Sequence, residues 1–431
     1  MGQRSSATPH DGQHQDSSFG LNAYIKNLKI ENKIISQETI NLIDLHLTKG
    51  NIQGVNSVIN DALKGIDNVQ LNIAVTGECG SGKSSFINAL REVGPEEEDA
   101  APTGVVETTM ERTPYKHQKF HNVTLWDLPG YGTCNFQPKD YLRKVKFGEY
   151  DFFIIVSATR FKQNDIELAQ MIRIMKKNFY FVRTKVDFDL KNEQESKPTT
   201  FDREKVLQQI RNYGLHNFMK NEINKPQIFL ISSKDLSDYD FPILTDTLLK
   251  DLPIQKRHIF MLSLPSITEG AIERKRDSLK QMIWLKALKA GALATFPLVG
   301  IIIDSDIDKL KESLKQYQVF FGVDDASLQS LAKDFQVPVK QLNAIIKSPH
   351  LLENKKEESI GETLLKYFEI FCSANGGLLA TGLYFRKMYY LQLYFLDIVT
   401  DDAKVLLKEV YSRNGLTSHR LESSGCQNPN S

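Results

Sequence analysis

An apolar run, Leu71-Asn72-Ile73-Ala74-Val75-Thr76, leads into Gly77-Glu78-Cys79-Gly80-Ser81-Gly82-Lys83-Ser84, and a helical run, Ser85 to Leu90, leads out. The middle stretch has the spacing G-x-x-x-x-G-K-[ST], and the strand before it and the helix after it supply the context that gives this pattern meaning. The glycines let backbone N–H groups turn inward around a phosphate, and the helix N-terminus adds the positive end of its dipole. Lys83 is then a mobile charge for β- and γ-oxygens, and the Ser84 hydroxyl is a candidate Mg2+ ligand. The candidate phosphate-binding set is Gly77, Glu78, Gly80, Ser81, Gly82, Lys83, Ser84 and Ser85.

Four further elements lie downstream, each at a strand end, where an open α/β sheet places its ligand. Val123-Thr124-Leu125-Trp126-Asp127-Leu128-Pro129-Gly130 is an apolar strand ending in D-x-P-G. Asp127 is expected to hold Mg2+ through water and the Gly130 N–H to sense a γ-phosphate. Thr184-Lys185-Val186-Asp187 follows the apolar run Phe179 to Arg183. A carboxylate at Asp187 accepts two hydrogen bonds from guanine N1–H and its exocyclic amine, a pair that adenine lacks. Ser232-Ser233-Lys234 ends another apolar run and is placed to pack on the base. Thr103 to Arg112, TGVVETTMER, occupies the place of a switch loop, where Thr103, Gly104, Thr108 and Thr109 are candidates and one threonine, Thr109 first, would join Ser84 and Asp127 on Mg2+. Together these elements make GTP or GDP, not ATP, the expected nucleotide.

One position departs from the pattern. GTPases that hydrolyse in isolation place a glutamine just after the DxxG glycine to orient the attacking water. Here that residue is Tyr131. Slow intrinsic turnover follows, with the missing group supplied by another surface, a second copy of the same domain being the expectation. A binding switch with incidental hydrolysis and an ATP-driven P-loop machine are the alternatives, and Asp187 speaks against the second.

The chain has 431 residues and a formal net charge of +1, without the electrostatic footprint of a nucleic-acid binder. Cys79, Cys134, Cys372 and Cys426 form no CxxC pair, and with no secretory-type leader in view the expectation is a reducing, cytoplasmic compartment. No stretch reaches the roughly 18 apolar residues of a membrane span; Ala290 to Ile303 is too short and contains Pro297, which reads as a buried helical corner. Met1-Gly2-Gln3-Arg4-Ser5-Ser6 fits the N-myristoylation pattern at Gly2. One acyl chain holds a membrane only marginally, so peripheral, reversible attachment is expected.

The expected organisation is a polar N-terminus over 1–33, two helices over 34–68 with Ser36 as N-cap, an α/β domain over 69–254, a helical domain over 255–413, and a polar tail over 414–431. Strand-like runs alternating with helical ones between 70 and 253 predict a doubly wound, mostly parallel sheet. After Pro253 the periodicity is helical almost throughout. Leu364, Leu365, Phe368, Phe371 and Cys372 make one apolar face on a predicted helix over 358–374, with lysines nearby, which suits either core or a membrane surface.

The phrases IAVTGECGSGKSSFINALR, TGVVETTMERTPY, WDLPGYGT, YDFFIIVSATRF, FYFVRTKVD, YDFPIL and DLPIQKRH together resemble the immunity-related, interferon-inducible GTPases. The likeness continues through FGVDDASLQ and YYLQLYFLDIVTDDAKVLLKE and covers roughly residues 30–412. Gly82-Lys83-Ser84 is similar to the G-K-S effector subclass, whereas the regulators of that family carry Met at the lysine position. The resemblance implies a P-loop G domain joined to a helical domain built from both chain ends. It implies G-domain dimers and higher oligomers that activate hydrolysis in trans, through positions matching Glu107, Arg160, Lys162 and Asp165, with Gln163 where some members have a second lysine. It further implies related regulatory GTPases as partners, a myristoyl group on Gly2, and assembly on pathogen-containing vacuoles or other intracellular membranes.

Overall fold

A computed structural model of the full chain describes residues 32–104, 111–131, 137–221, 223, 226–293, 304–351 and 383–413. Gly2, Glu107, Thr108, Thr109, the predicted helix over 358–374 and the polar tail lie outside the described residues, as does most of Ala290 to Ile303.

Two compact units form. The first comprises residues 69–252 and 262–268; the second takes the chain up to 68, residues 253–261, and the chain from 269 onward. The first is built on a six-stranded sheet: β1 (Leu71–Gly77), β2 (Thr113–Lys116), β3 (Val123–Asp127), β4 (Phe152–Ser157), β5 (Asn178–Arg183) and β6 (Ile228–Leu230). The spatial order is β2-β3-β1-β4-β5-β6. All pairings are parallel except the antiparallel β2–β3 edge. Strand β2 has no apolar alternation, and its Pro114 suits an edge position, where a missing N–H costs nothing. The sequence offers no strand signal there, and β6 also stops short of the run ending at Ser232.

Helices α3 (Lys83–Arg91), α4 (Pro138–Lys144), α5 (Gln163–Ile174), α6 (Val186–Ser196), α7 (Arg203–Lys220) and α8 (Phe241–Asp251) belong to this unit. Strand β4 is buried at every residue, as a strand covered on both faces must be. On one side the core runs through Phe153, Ile155, Ile166, Leu168, Ile172, Phe181 and Phe218. Phe181 and Phe218 stack at 3.9 Å, with Phe161 at 5.0 Å from Phe218. The register pairs Val75 with Asp127, Gly77 with Val156, and Ser157 with Arg183, so the strand ends carrying the motifs line up at one edge. Because β1 sits between β3 and β4, its C-terminal end is the switch point of the sheet.

The second unit is all helical. It contains α1 (Gln37–Thr48), α2 (Ile52–Asp67), α9 (Ile254–Ser263, whose last residues fall in the first unit), α10 (Glu269–Leu293), α11 (Asp304–Phe321), α12 (Asp325–Asp334), α13 (Val339–Ile345) and α14 (Leu383–Arg413). Ser36 caps α1 by accepting from the Thr39 N–H at 3.0 Å. The fully buried Gln281 of α10 binds the beginning of the described chain: its Oε1 accepts from the Ile34 N–H at 3.1 Å and its Nε2 donates to the Asn32 carbonyl at 2.7 Å. Arg276 pairs with Asp397 across α10 and α14. Asp402 accepts from the N–H groups of Lys347 and Ser348 at 2.9 and 2.6 Å. This is a helical domain made from N- and C-terminal helices. Among the described residues no helix is long and apolar enough to cross a membrane.

Candidate functional site

The loop between β1 and α3 is shaped by positions that only glycine fills. At Gly77 a Cβ would lie 2.1 Å from the Val156 carbonyl oxygen, and Gly82, with φ of 89°, is the uncapped N-cap of α3. That helix therefore begins with backbone donors that have no intrahelical acceptor, directed into the loop. The buried Ser81 Oγ has no hydrogen-bond partner among the described residues. Lys83, only 7% exposed, donates to the carbonyls of Gly77 and Glu78 at 3.2 and 3.1 Å, which keeps its ammonium at the loop centre. Glu78 is half-buried and Gly80 and Ser85 are exposed on the rim. A loop closed around glycines, a helix N-terminus, the Lys83 ammonium and an uncommitted buried hydroxyl fit a polyphosphate.

Ser84 Oγ donates to Asp127 Oδ2 at 2.6 Å, so the two described metal candidates meet at the ends of α3 and β3. Both offer hard oxygen donors, which suit Mg2+. Pro129 and Gly130 follow, with the Pro129 carbonyl accepting from Tyr141 Oη at 2.9 Å. Thr103 and Gly104 are exposed, on the way to the undescribed part of the switch loop.

The base-reading motif is tied to the phosphate loop. Thr184 Oγ1 donates to the Ser81 carbonyl at 2.7 Å, and Lys185 Nζ to the Gly80 carbonyl at 3.0 Å. Lys185 takes a left-handed conformation as N-cap of α6, which places Asp187 in the first turn. Asp187 is half-buried and has no hydrogen bond or ion pair among the described residues. Ser232 Oγ accepts from the Lys234 N–H at 3.2 Å, Ser233 is half-buried beside them, and the Lys234 ammonium sits 5.7 Å from the centre of the exposed Phe188 ring. The sequence motifs thus converge at one edge of the sheet.

The positions matched to a trans contact divide. Arg160 is exposed, its guanidinium over the Tyr213 ring at 5.1 Å. Lys162 is exposed and pairs with Glu78 at 2.6 Å, and that hydrogen bond raises its pKa. Asp165 is different. It is 1% exposed at the start of α5, where Oδ2 accepts from the Lys162 N–H at 2.7 Å and Oδ1 from Tyr131 Oη at 2.6 Å. Asp165 therefore faces the interior of its own domain. Burial raises its pKa to about 6, offset in part by the Lys162 N–H and Tyr131. Burial also holds the Tyr131 phenol well above its usual range, so it remains a proton donor.

Other residues that support the site carry no motif signal. Asn88 of α3 brackets Ala101 through both its amide atoms, at 2.9 and 2.7 Å. Arg91 donates to the carbonyls of Asp99 and Lys116 at 2.7 and 2.9 Å, which fixes the chain on both sides of the switch segment.

This fold and site define a P-loop nucleotide-binding domain in a chain that also forms a helical domain. The sequence matches the family described as Interferon-inducible GTPase (IIGP) over residues 36–410, and the chain belongs to that family. It is 55% identical to Interferon-inducible GTPase 1 of Mus musculus over 414 residues, 96% of this chain and 100% of that one. Interferon-gamma-inducible GTPase 10 of Mus musculus is 52% identical, over 95% and 97% of the two chains. T-cell-specific guanine nucleotide triphosphate-binding protein 2 of Mus musculus is 51% identical, over 91% and 94%. The chain is accordingly a guanine-nucleotide-binding GTPase of the immunity-related type.

Proposed function

We propose that this GTPase hydrolyses GTP slowly when alone and faster when two G domains pair, assembling on intracellular membranes, including those of pathogen-containing vacuoles, in cell-autonomous immunity. One observation carries the reading. The residue at the water-orienting position, Tyr131, has its hydroxyl buried and donated to Asp165, while Arg160 and Lys162 stand exposed and Lys162 pairs with Glu78 of the phosphate loop. The molecule therefore has a cation at its phosphate loop but no water-orienting amide at the usual place.

Within each site, loop N–H groups and Lys83 hold the β- and γ-oxygens, Asp187 reads guanine, and Ser84 with Asp127 would hold Mg2+. The ion, when bound, neutralises charge developing between the β- and γ-phosphates. A second copy would add charge stabilisation from Arg160, with the matched Glu107 helping to build the contact between the two copies. Gly2, if acylated, would add reversible membrane affinity, and related regulatory GTPases would hold the cytoplasmic pool inactive.

Specific activity measured over a hundredfold range of protein concentration, with light scattering on the same samples in GTP and in GDP, tests the proposal. Activity and particle mass should rise together in GTP only. A constant specific activity from a strictly monomeric protein would sink it.

A further inference from the structure

Several side chains around the phosphate loop form a closed circuit that the nucleotide-binding reading does not use. Thr76, the residue before Gly77, shares a 2.7 Å hydrogen bond with Tyr141 Oη, which donates to the Pro129 carbonyl at 2.9 Å. From Pro129 the chain runs through Gly130 to Tyr131, whose ring packs edge-on against Tyr141 at 5.6 Å. Tyr131 Oη donates to Asp165, Asp165 accepts from the Lys162 N–H, and Lys162 Nζ pairs with Glu78. Glu78 returns through Gly77 to Thr76. Thr76, Tyr131, Tyr141 and Asp165 are all buried, so most of the circuit is shielded from water, where hydrogen bonds are stronger and costlier to break.

We propose that Tyr131 and Asp165 are positioning residues that couple Gly130 to Lys162 and Glu78, so that the nucleotide state at the phosphate loop sets the geometry of the exposed Arg160–Lys162 face. Tyr131 thus replaces a water-orienting glutamine with a tether. Any shift of Gly130 toward a γ-phosphate pulls on a phenol that donates at 2.6 Å to the carboxylate fixing the first turn of α5. That turn carries Lys162, and Lys162 carries the second attachment to the phosphate loop. The use made of the coupling rests on the pairing reading above; the coupling itself can be tested without it.

Amide exchange in dilute full-length protein, bound to GDP or to a non-hydrolysable GTP analogue, is the first test. Wild-type protein should show a nucleotide-dependent difference over residues 158–170. Tyr131→Phe, which keeps the ring and removes only the hydroxyl, should erase most of it while the difference over 77–86 persists. Asp165→Asn, which keeps an acceptor for Tyr131 but loses one for the Lys162 N–H, serves as the second variant and should behave alike. No difference in the wild type, or one that survives in both variants, overturns the proposal.

Turnover against protein concentration is the second test. Losing a bond to a charged group should raise the half-activating concentration about tenfold, with a smaller change in plateau rate. In a Lys162→Ala background, adding Tyr131→Phe should cost less than about twofold more, because both act through one path. Full additivity overturns the proposal. A wild type whose specific activity does not vary with concentration instead defeats pairing, and the exchange result then decides the coupling by itself.

Discussion

Single side chains here have separable jobs. Lys83 is held by two loop carbonyls and offers its charge to the phosphates. Lys83→Ala should therefore weaken GTP about 100-fold, a loss read by titration with a fluorescent analogue. Asp187 accepts where guanine donates twice. In Asp187→Asn one acceptor becomes a donor, so GTP affinity should fall about 100-fold and xanthosine triphosphate, which presents one donor and one acceptor, should gain. Competition binding checks both directions. Asp165 gives a pH signature. Its folded pKa, about 6, lies above the ordinary 3.8, so its contribution to stability is fully present at low pH and is lost as pH rises through about 6. Relative to wild type, Asp165→Asn should therefore gain stability between pH 4.5 and 7, by about 1–3 kcal/mol, measured by urea unfolding at each pH. The burial of Asp165 was not legible in the sequence: it depends on α5 starting at Gln163 and on a tyrosine 34 positions away.

Among the elements, β1, α3 and β3 could be read directly, because each couples an apolar run to a motif whose spacing admits one geometry. The helices around Gly50 were equally plain, since Ser36 marks a start and Gly50, at φ of 64°, marks a stop. Strand β2 could not be read. It has four residues, a proline, and alternating half-buried and exposed positions, and it forms because β3 offers an open edge. Arg112, just before it, lies over the Trp126 ring at 4.8 Å, an anchor that only the antiparallel register creates. Helix α7 has a weak apolar stripe, and its most buried anchor is Phe218, packed against Phe161 and Phe181, while Arg211 ties it to Ile228 and Asp240. Phe218→Ala should destabilise the α/β unit by about 3–5 kcal/mol, seen as an earlier urea midpoint with an unchanged slope.

At the scale of the molecule, the two units respond to acid in opposite senses at one group each. In the helical unit His258 is buried and donates to or accepts from Ser278 Oγ at 2.6 Å, and burial, with Lys286 second, lowers its pKa to about 3. A depressed folded pKa means that this stabilisation is whole above the ordinary value of 6.5 and is lost as pH falls toward 3. The helical unit should lose about 1.4 kcal/mol per pH unit from this residue below pH 6.5. His258→Gln, which keeps a hydrogen bond to Ser278 without titrating, should flatten that slope in chemical unfolding followed at pH 7, 6 and 5. The anchoring of the chain's early residues to α10 has a consequence for biogenesis. Gln281 grips Asn32 and Ile34 across sequence separations of 249 and 247 residues. At ribosomal speeds of about 5–20 residues per second, α1 and α2 emerge roughly 10–50 s before the helix that will receive them. The nucleotide-binding unit, encoded almost entirely in between, can be complete while its neighbour is still waiting, so a nascent chain stalled once the α/β unit has cleared the ribosome, but before α10 has, should already retain guanine nucleotide yet leave its first two helices open to chaperone capture.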